Sequence, residues 1–295
     1  MKKNSMFLRL LAAVMVLLMM IPAACLAETA PDYTKLTEGA EVRIMSYNVL
    51  HPDWNDMIKI TGRNENFLAI INRYMPDVVG LQEAGAKWHK FWKPHLIDTG
   101  IYSTACRKSN AEGFTYNTSA ILYKMDTLKL LDEYVLDLDK NSATRVLSVA
   151  VFEYIADGSR FVVCNTHTAP SNAPEEYNRH FGDLMKMIPA EMEKYAGLPF
   201  ILTGDYNTDE EFEMFTTFMN AVNVNTAKYE ADVVVREHAT YKGWKDEELN
   251  PDRLYVVDHI FVNEMTDVKL YNVVIDQEAQ DASDHLPVYA DIELK

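Results

Sequence analysis

The sequence predicts an α/β (α+β) fold in which two mixed β-sheets pack face to face and are flanked by helices. Segments with helical periodicity alternate with short apolar segments rich in β-branched residues. Between Ser119 and Asn165 several β-rich segments follow one another with no helix between them, which argues against a simple parallel βαβ repeat. From Val42 onward no repeat or Pro/Gly/Ser-rich stretch interrupts the chain, so we predict one domain over residues 41–295.

The first 27 residues predict a secretory signal peptide. A basic start precedes the apolar run Leu10–Ile21, and small residues lead to an expected cleavage after Ala27. The apolar run is shorter than the ~20 residues that a membrane span needs, so an uncleaved anchor is disfavoured. Lipid modification at Cys25 is an alternative, although Pro22 fits it poorly. We therefore expect a secreted or cell-envelope protein with no integral membrane segment after cleavage.

The remaining elements follow in order after a polar linker at residues 28–40. Strands are predicted at 42–49, 78–81, 119–123, 128–138, 145–155, 161–165, 200–203, 256–262, 268–275 and 287–294, and helices at 61–74, 174–195 and 209–219. Pro76 and Asp77 end the first helix. Gly158 marks a tight turn between Tyr154 and Phe161, so the strands around it are predicted to form a hairpin.

Charge and cysteine content restrict the class of protein. The chain has a formal net charge of −16, and removing the three cations and no acids of residues 1–27 leaves −19. Such an acidic chain does not resemble a non-specific nucleic-acid binder, which usually presents a basic face. A nuclease stays open because a bound divalent metal would be the largest local positive charge. Cys106 and Cys164 could form a disulfide or be two buried thiols.

Polar residues stand at the ends of five apolar strands, where a core residue would be expected. They are Asn48, Gln82-Glu83, Asn165-Thr166-His167, Gly204-Asp205-Tyr206-Asn207 and Asp284-His285. Each alone also fits a turn, a cap or a solvated strand end. Together they predict one cleft, because loops at strand ends carry catalytic groups on a rigid sheet. Oxygen-rich ligands suit Mg²⁺, Mn²⁺ or Ca²⁺ better than zinc.

Six short motifs in order resemble those of the endonuclease/exonuclease/phosphatase superfamily, the deoxyribonuclease I-like fold. They lie at Arg43–Asn48, Pro76–Glu83, Asn165–His167, Gly204–Asn207, Val257–Val262 and Ser283–Val288. The resemblance implies a four-layer sandwich of two mixed sheets flanked by helices. It also implies hydrolysis of a phosphate mono- or diester by metal-assisted attack of water, in a secreted bacterial-type member.

The resemblance also implies a metal site and phosphate contacts. Glu83 corresponds to the main Mg²⁺ ligand, with Asn48 beside it and Asp284 as a further carboxylate of the metal site. Mn²⁺ or Ca²⁺ are alternatives to Mg²⁺. Arg145, at the start of a predicted strand, is a candidate phosphate contact. A surface salt bridge is the alternative for this arginine.

The catalytic residues are assigned by the same resemblance. Asp205 corresponds to the carboxylate that orients or deprotonates the attacking water, and Asn207 to its amide partner on that water or on phosphate. His285 corresponds to the histidine on a non-bridging phosphate oxygen, and Asp258 to the carboxylate that keeps it protonated. His167 corresponds to a residue near the phosphate or the leaving group.

Two motifs depart from the family pattern, and they affect the expected substrate. Many members carry His-Leu-Asp where this chain has His167-Thr168-Ala169, and most carry Asp-Tyr where it has Asp258-His259. We expect a monomer that acts on a small molecule or a lipid headgroup. A secreted nuclease is the alternative, and a non-catalytic binding module of the same fold is a third hypothesis.

Tryptophan side chains could stack on a substrate at the rim of the cleft. The aromatic segment Trp88–Trp92 is a candidate rim loop, and Trp54 and Trp244 are further candidates. Burial in the core is the alternative for each of them.

Overall fold

The structure is a computed structural model that describes residues 32–51, 62–107, 118–138, 144–243 and 255–295. The predicted signal peptide, Trp54 and Trp244 lie outside these residues. No helix among the described residues combines the length and the apolar character that crossing a membrane requires.

Thirteen strands and six helices make up the described part of the domain. The strands are β1 (Val42–Asn48), β2 (Val78–Gln82), β3 (Tyr102–Ala105), β4 (Ile121–Lys124), β5 (Leu128–Asp137), β6 (Val146–Tyr154), β7 (Arg160–His167), β8 (Phe200–Asp205), β9 (Asn225–Thr226), β10 (Val233–Arg236), β11 (Asp258–Val262), β12 (Thr266–Val273) and β13 (Val288–Leu294). The helices are α1 (Arg63–Tyr74), α2 (Ala86–Trp92, extended by a π-helical turn at Lys93–Ile97), α3 (Pro174–Lys194), α4 (Glu213–Val222), α5 (Ala227–Glu230) and α6 (Gln277–Ala282).

The strands form two mixed sheets. The first has seven strands in the order β10-β12-β13-β1-β2-β4-β3, and the second has six in the order β5-β6-β7-β8-β11-β9. The predicted hairpin is confirmed, since β6 and β7 pair antiparallel with Phe152 opposite Phe161 and Gly158 adopts a φ of 81° in the turn. That left-handed conformation is readily available to glycine because it has no Cβ.

Helices cover the outer face of each sheet, which completes the predicted four-layer sandwich. On the seven-stranded sheet, Phe67 of α1 stacks on Tyr47 of β1 with ring centroids 5.9 Å apart. On the six-stranded sheet, Phe181 of α3 and Phe218 of α4 meet edge to face in a cluster of buried apolar residues. Each layer therefore buries the apolar stripe of its helices against a sheet.

Strand direction brings the polar strand ends to one edge of the sandwich. In the seven-stranded sheet, β1 and β2 run parallel and end at Asn48 and Gln82, and β13 pairs antiparallel with β1 and begins beside that end. In the six-stranded sheet, β7 and β8 run parallel, with His167 opposite Asp205, and β11 begins with Asp258 opposite Asp205. The predicted convergence of these residues is therefore a consequence of topology.

A buried polar layer joins the two sheets beneath that edge. Asn165 of β7 accepts hydrogen bonds from the side chains of Gln82 and Thr203, at 2.8 and 3.0 Å. Its own amide donates to the carbonyl oxygen of Leu81 at 2.7 Å. The sheets approach closely here because β2 carries Gly80, where a Cβ atom would lie 2.0 Å from Thr203 Oγ1. Such a layer fixes the relative placement of the sheets because unmade buried hydrogen bonds are costly.

Gly80→Ala is expected to lower the free energy of unfolding by about 1–3 kcal/mol or more, since the added methyl overpacks this layer. Chemical denaturation measures the change. Gly182→Ala in α3 is the control, because a Cβ there meets nothing within 4 Å and alanine has the higher helix propensity. Equal stability of the two variants would contradict the close approach of the sheets.

The structure corrects one sequence-based hypothesis about the substrate rim. The Trp88–Trp92 segment is helix α2, and both indoles are buried. Trp88 donates to the carbonyl oxygen of Leu50 and packs against Phe67, so the alternative of core burial is correct for these two residues. Helix α4 begins at Glu213, four residues later than the predicted start.

Two further sequence questions concern the cysteines and the linker. Cys106 and Cys164 are buried thiols, in agreement with the alternative of two buried thiols. Within the predicted linker, the carbonyl groups of Thr34 and Lys35 accept hydrogen bonds from Arg43. These residues therefore pack on the first strand of the domain.

Candidate active site

The strand ends line an open cleft with a volume of about 590 Å³. Seven of the predicted site residues line it: Glu83, Arg145, His167, Asp205, Asn207, Asp284 and His285. The other two, Asn48 and Asp258, are buried behind the cleft wall and hydrogen-bonded to residues that line it. The sequence therefore identified a set of residues that the fold brings together.

Asp205, the last residue of β8, is the centre of the hydrogen bonding in the cleft. Its Oδ2 accepts from Asn48 Nδ2 at 2.9 Å and lies 3.2 Å from His167 Nε2. Its Oδ1 accepts from the backbone N–H of Asn207 at 2.9 Å. Burial would raise the pKa of Asp205, but the charges of His167 and His285 overcome burial and hold it far below its usual range. Asp205 is therefore ionised, with its orientation fixed.

His285 is held between two buried carboxylates. Its Nδ1 lies 2.7 Å from Asp258 Oδ2, and its Nε2 lies 3.7 Å from Asp205 Oδ2. Burial alone would lower the pKa of His285, but the charges of Asp258 and Asp205 and the Asp258 hydrogen bond outweigh burial and raise it well above its ordinary value. The imidazole is therefore a cation at neutral pH, which suits contact with an anionic phosphate.

Glu83 and Asp284 supply two further carboxylates to the cleft. Glu83 directly follows β2, and its Oε2 accepts from the backbone N–H of His51 at 2.7 Å. Burial would raise the pKa of Glu83, but the charge of His167 and this hydrogen bond lower it. Burial raises the pKa of Asp284, and the charge of Glu83 adds to the rise while His285 opposes it. A divalent cation would relieve this repulsion, so the donor set fits a hard metal ion.

Asn48 is placed as a donor toward the cleft. Its side-chain oxygen accepts from the backbone N–H of Leu50 at 3.0 Å, and its nitrogen donates to Asp205 and lies 3.4 Å from Glu83 Oε1. Only the oxygen can accept from Leu50, which fixes the orientation of the amide. Asn48 thus positions Asp205, and its role as a metal ligand stays a prediction.

Asp205, Asp258 and His285 form a buried group whose ligating atoms lie within 4.8 Å of one another and could bind a metal. However, His285 Nδ1 and Asp258 already share a hydrogen bond. Metal binding through that nitrogen would break the bond and leave a buried carboxylate without it. The geometry therefore favours a hydrogen-bonded carboxylate–imidazole pair for Asp258 and His285, and Glu83 and Asp284 are the other predicted carboxylates that line the cleft.

The backbone is strained at three positions on the cleft wall. Leu50, Glu83 and Asn207 adopt positive φ values of 56°, 59° and 48°. Such conformations cost of the order of 1 kcal/mol or more in residues other than glycine and cluster at functional sites. Here they aim side chains from the strand ends into the cleft.

Arg145 is half-buried on the cleft wall, where its described hydrogen bonds go to backbone carbonyl groups. Its Nη1 donates to the carbonyl oxygen of Thr168 at 2.8 Å. Burial lowers the pKa of Arg145, and the charges of Asp205 and Glu83 oppose this effect. The Thr168 carbonyl also accepts from Asn207 Nδ2 at 3.0 Å, so one carbonyl group positions both candidate phosphate contacts.

The two residues that depart from the family motifs, His259 and Thr168, are buried and make contacts within the fold. His259 is buried beside Phe215, and its Nε2 lies 2.9 Å from the carbonyl oxygen of Thr208. Thr168 is buried, and its hydroxyl donates to the carbonyl oxygen of Tyr206 at 2.5 Å. Neither side chain lines the cleft.

Arg63 supports the site, and sequence reasoning missed it. This buried first residue of α1 donates through Nη2 to the carbonyl oxygens of Val49 and Leu50, at 2.5 and 2.6 Å. Its Nε donates to the carbonyl oxygen of Ala282 at 2.9 Å. The guanidinium therefore joins the loop after Asn48 to the turn before Asp284. No sequence pattern marked this contact, which spans 219 residues.

Arg63→Lys is expected to lower kcat/KM of the folded protein about tenfold or more. Lysine lacks the planar fork that places Nε on one loop and Nη2 on the other, so the two loops would shift. Arg43→Lys is the matched control. Arg43 is also a buried arginine that binds carbonyl groups and Asp291, but it lies at the opposite end of β1. We expect this control to lose stability and keep its activity. Equal losses of activity in both variants would contradict a positioning role for Arg63.

The fold and the cleft define a two-sheet α/β sandwich with carboxylates, amides and a carboxylate-linked histidine at one edge. The sequence pattern of the endonuclease/exonuclease/phosphatase family matches residues 45–285. The chain therefore belongs to this family, whose members are hydrolases that act on phosphate esters.

Comparisons with individual proteins agree with this assignment. The chain is 26% identical over 200 residues to the probable RNA exonuclease NGL3 of Saccharomyces cerevisiae, a match over 59% of this chain and 39% of that protein. The chain thus spans about two fifths of the length of this relative. Among solved structures, a mannosyl-6-phosphatase of Bacteroides thetaiotaomicron has a TM-score of 0.72 at 21% identity, covering 86% of this chain and 100% of its own.

A second solved structure, the human nocturnin catalytic domain with bound sulfate, has a TM-score of 0.66 at 20% identity. The match covers 88% of this chain and 96% of that one. At these identities the similarity shows a shared fold.

Proposed function

We propose that this protein is a divalent-metal-dependent phosphoesterase that hydrolyses a small, non-polymeric phosphate ester with water. One observation carries the proposal. The buried carboxylate–imidazole chain from Asp258 through His285 to Asp205 opens into the same cleft as Glu83 and Asp284. A cationic imidazole beside a cluster of carboxylates is the combination needed to bind an anionic ester and a metal together.

The metal is proposed to bind at Glu83 and Asp284, with Asn48 adjacent, and Mg²⁺ is the ion that best suits oxygen ligands and a phosphate substrate. When bound, it would supply positive charge to the phosphate as negative charge develops in the transition state. The raised pKa of Asp284 supports the site, since burial and the charge of Glu83 raise it and a bound cation would offset both effects.

The protein's own residues would position the remaining partners of the reaction. His285 would donate from Nε2 to a non-bridging phosphate oxygen while Asp258 holds Nδ1. Asp205 has a depressed pKa, so its carboxylate would orient the attacking water more effectively than it would take a proton. Asn207 would hold that water or a phosphate oxygen, and Arg145 would contact the phosphate. His167 would lie near the leaving group.

The small substrate is favoured by the charge of the cleft. Among the described residues that line it, Arg145 is the only lysine or arginine, against four carboxylates. A protein that follows a nucleic-acid backbone neutralises several phosphates with cations. The net charge of −16 also disfavours binding along a nucleic-acid backbone.

A nuclease is the second candidate, favoured by the similarity to a probable RNA exonuclease. Secretion is also proposed, on the basis of the signal-peptide pattern in residues 1–27.

One experiment separates the small-molecule phosphoesterase from the nuclease. Purified protein is assayed with and without Mg²⁺ against sugar phosphates, inositol phosphates, sphingomyelin, nitrophenyl phosphate esters, DNA and RNA. Mg²⁺-dependent turnover of the small esters supports the proposal. Turnover of DNA or RNA alone would contradict it and support the nuclease.

A further inference from the structure

The cleft has a second wall, which the phosphate chemistry does not use. Phe212, Tyr241 and Tyr255 line it next to the catalytic residues and are 40%, 41% and 43% exposed. Isolated exposed aromatic residues are common on protein surfaces. Three of them that line the same cleft offer it a group of exposed apolar faces, and exposed apolar patches mark binding sites. These three residues are called the aromatic wall below.

The aromatic wall is held in place by buried polar contacts. Asp209 is buried and accepts from the backbone N–H of Val256 at 2.9 Å, next to Tyr255. The Asp209 carbonyl accepts from the backbone N–H of Phe212 at 3.0 Å. One aspartate therefore joins the turn that carries Phe212 to the segment that carries Tyr255. A surface fixed in this way binds a rigid group with little loss of conformational entropy.

The wall also adjoins the phosphate-binding histidine. The ring centroid of Tyr241 lies 5.0 Å from that of His285, and Tyr241 forms isolated β-bridges with both Tyr255 and His285. A group attached to a phosphate at His285 would therefore lie against the wall. Ser171 and Asn172 also line the cleft and supply exposed polar side chains.

We propose that the aromatic wall is a subsite for the alcohol half of the phosphate ester and that it takes a ring with a flat apolar face. This proposal rests on the proposed phosphoesterase function. Aromatic faces stack on rings, whereas the flexible groove for an acyl chain would be lined by aliphatic side chains. The ring can belong to a nucleoside or to a sugar, since both present an apolar face and polar edges that Ser171 and Asn172 can contact.

Phosphonates test the subsite without relying on turnover, because a carbon atom replaces the ester oxygen and no bond can be hydrolysed. Binding of benzylphosphonate and butylphosphonate is measured by calorimetry in the presence of Mg²⁺. We expect the full-length protein to bind the ring compound about tenfold more tightly, from ring stacking. Phe212→Ala/Tyr255→Ala should reduce this ratio to about 1–2 while leaving the Kd for butylphosphonate almost unchanged. Tyr241 is left intact because it packs on His285.

Tyr229→Ala is the matched control, since Tyr229 is an exposed aromatic residue that does not line the cleft, and it should keep the ratio. Thermal unfolding checks each variant, and the single variants Phe212→Ala and Tyr255→Ala replace the double variant if it does not fold. A nucleoside phosphonate and a sugar phosphonate then identify the source of the ring. Equal binding of the two simple phosphonates, or an unchanged ratio in the wall variants, would overturn the subsite even if the protein hydrolyses phosphate esters.

Discussion

His285→Ala is expected to lower kcat by about 10²–10³-fold, because it removes the cationic donor that would stabilise charge on the phosphate. The imidazole lies between Asp258 and Asp205, and alanine would leave these two buried carboxylates without a cation between them. Some loss of stability is therefore expected too. Steady-state kinetics on a chromogenic phosphate ester, normalised to the folded fraction, measures the effect.

His259→Ala is the matched control for this prediction. His259 is as deeply buried as His285 and neighbours the same Asp258 in sequence, but it contacts a carbonyl group and aromatic rings away from the cleft. We expect the control to lose stability and to keep its turnover per folded molecule. If His285→Ala also loses only stability, His285 is a structural histidine and the catalytic assignment is wrong.

The pH dependence of activity gives an independent test of the same residue. Since the folded pKa of His285 is raised above its ordinary value, the imidazolium and its ion pair with Asp258 persist through neutral pH and are lost as the pH rises through that raised pKa. We expect kcat/KM to fall on the alkaline side. Asp258→Asn removes one of the charges that raise this pKa, so its alkaline limb should move to lower pH.

Glu83→Gln is expected to lower Mg²⁺-dependent turnover by about 10²-fold or more, because it removes one of the two carboxylates proposed to hold the metal while keeping the side-chain shape. The amide can still accept from the backbone N–H of His51, which the carboxylate now does at 2.7 Å. The fold should therefore be retained. Such a loss is comparable to that from removing one transition-state contact.

Direct metal binding separates this prediction from a general loss of activity. Calorimetric titration with Mn²⁺ should show a weaker Kd for Glu83→Gln than for the unmodified protein. Glu191→Gln is the control, since Glu191 is also largely buried but lies in α3 against Tyr134. Unchanged Mn²⁺ affinity and activity in Glu83→Gln would show that Glu83 does not bind the metal.

Sequence reasoning located the residues that line the cleft because strand ends carry a local signal. An apolar run that ends in Glu83 or Asp205 is visible within a few residues, and parallel or antiparallel pairing then brings such ends together. The long amphipathic helix α3 was equally clear from its period. Short elements were missed because four to seven residues, as in β3 or α2, do not establish a period.

Contacts between distant segments could not be read from the sequence. Arg63 binds carbonyl groups of residues on both sides of it in the chain, and only the fold brings these groups together. Asn165 was recognised as a polar strand-end residue, yet its side chain lies between the sheets and joins Gln82 to Thr203. The aromatic wall likewise combines Phe212 and Tyr255, which become neighbours through Asp209. Such roles depend on tertiary geometry.

We propose that the strand ends form one site that hydrolyses phosphate esters with the help of a divalent metal. This proposal is tested by the rate of release of nitrophenol from nitrophenyl phosphate esters by metal-stripped protein, as Mg²⁺ is added back. We predict no turnover without the metal, saturable recovery with it, and no recovery in Glu83→Gln or His285→Ala. Turnover that is independent of added metal, or that both variants retain, would contradict the claim.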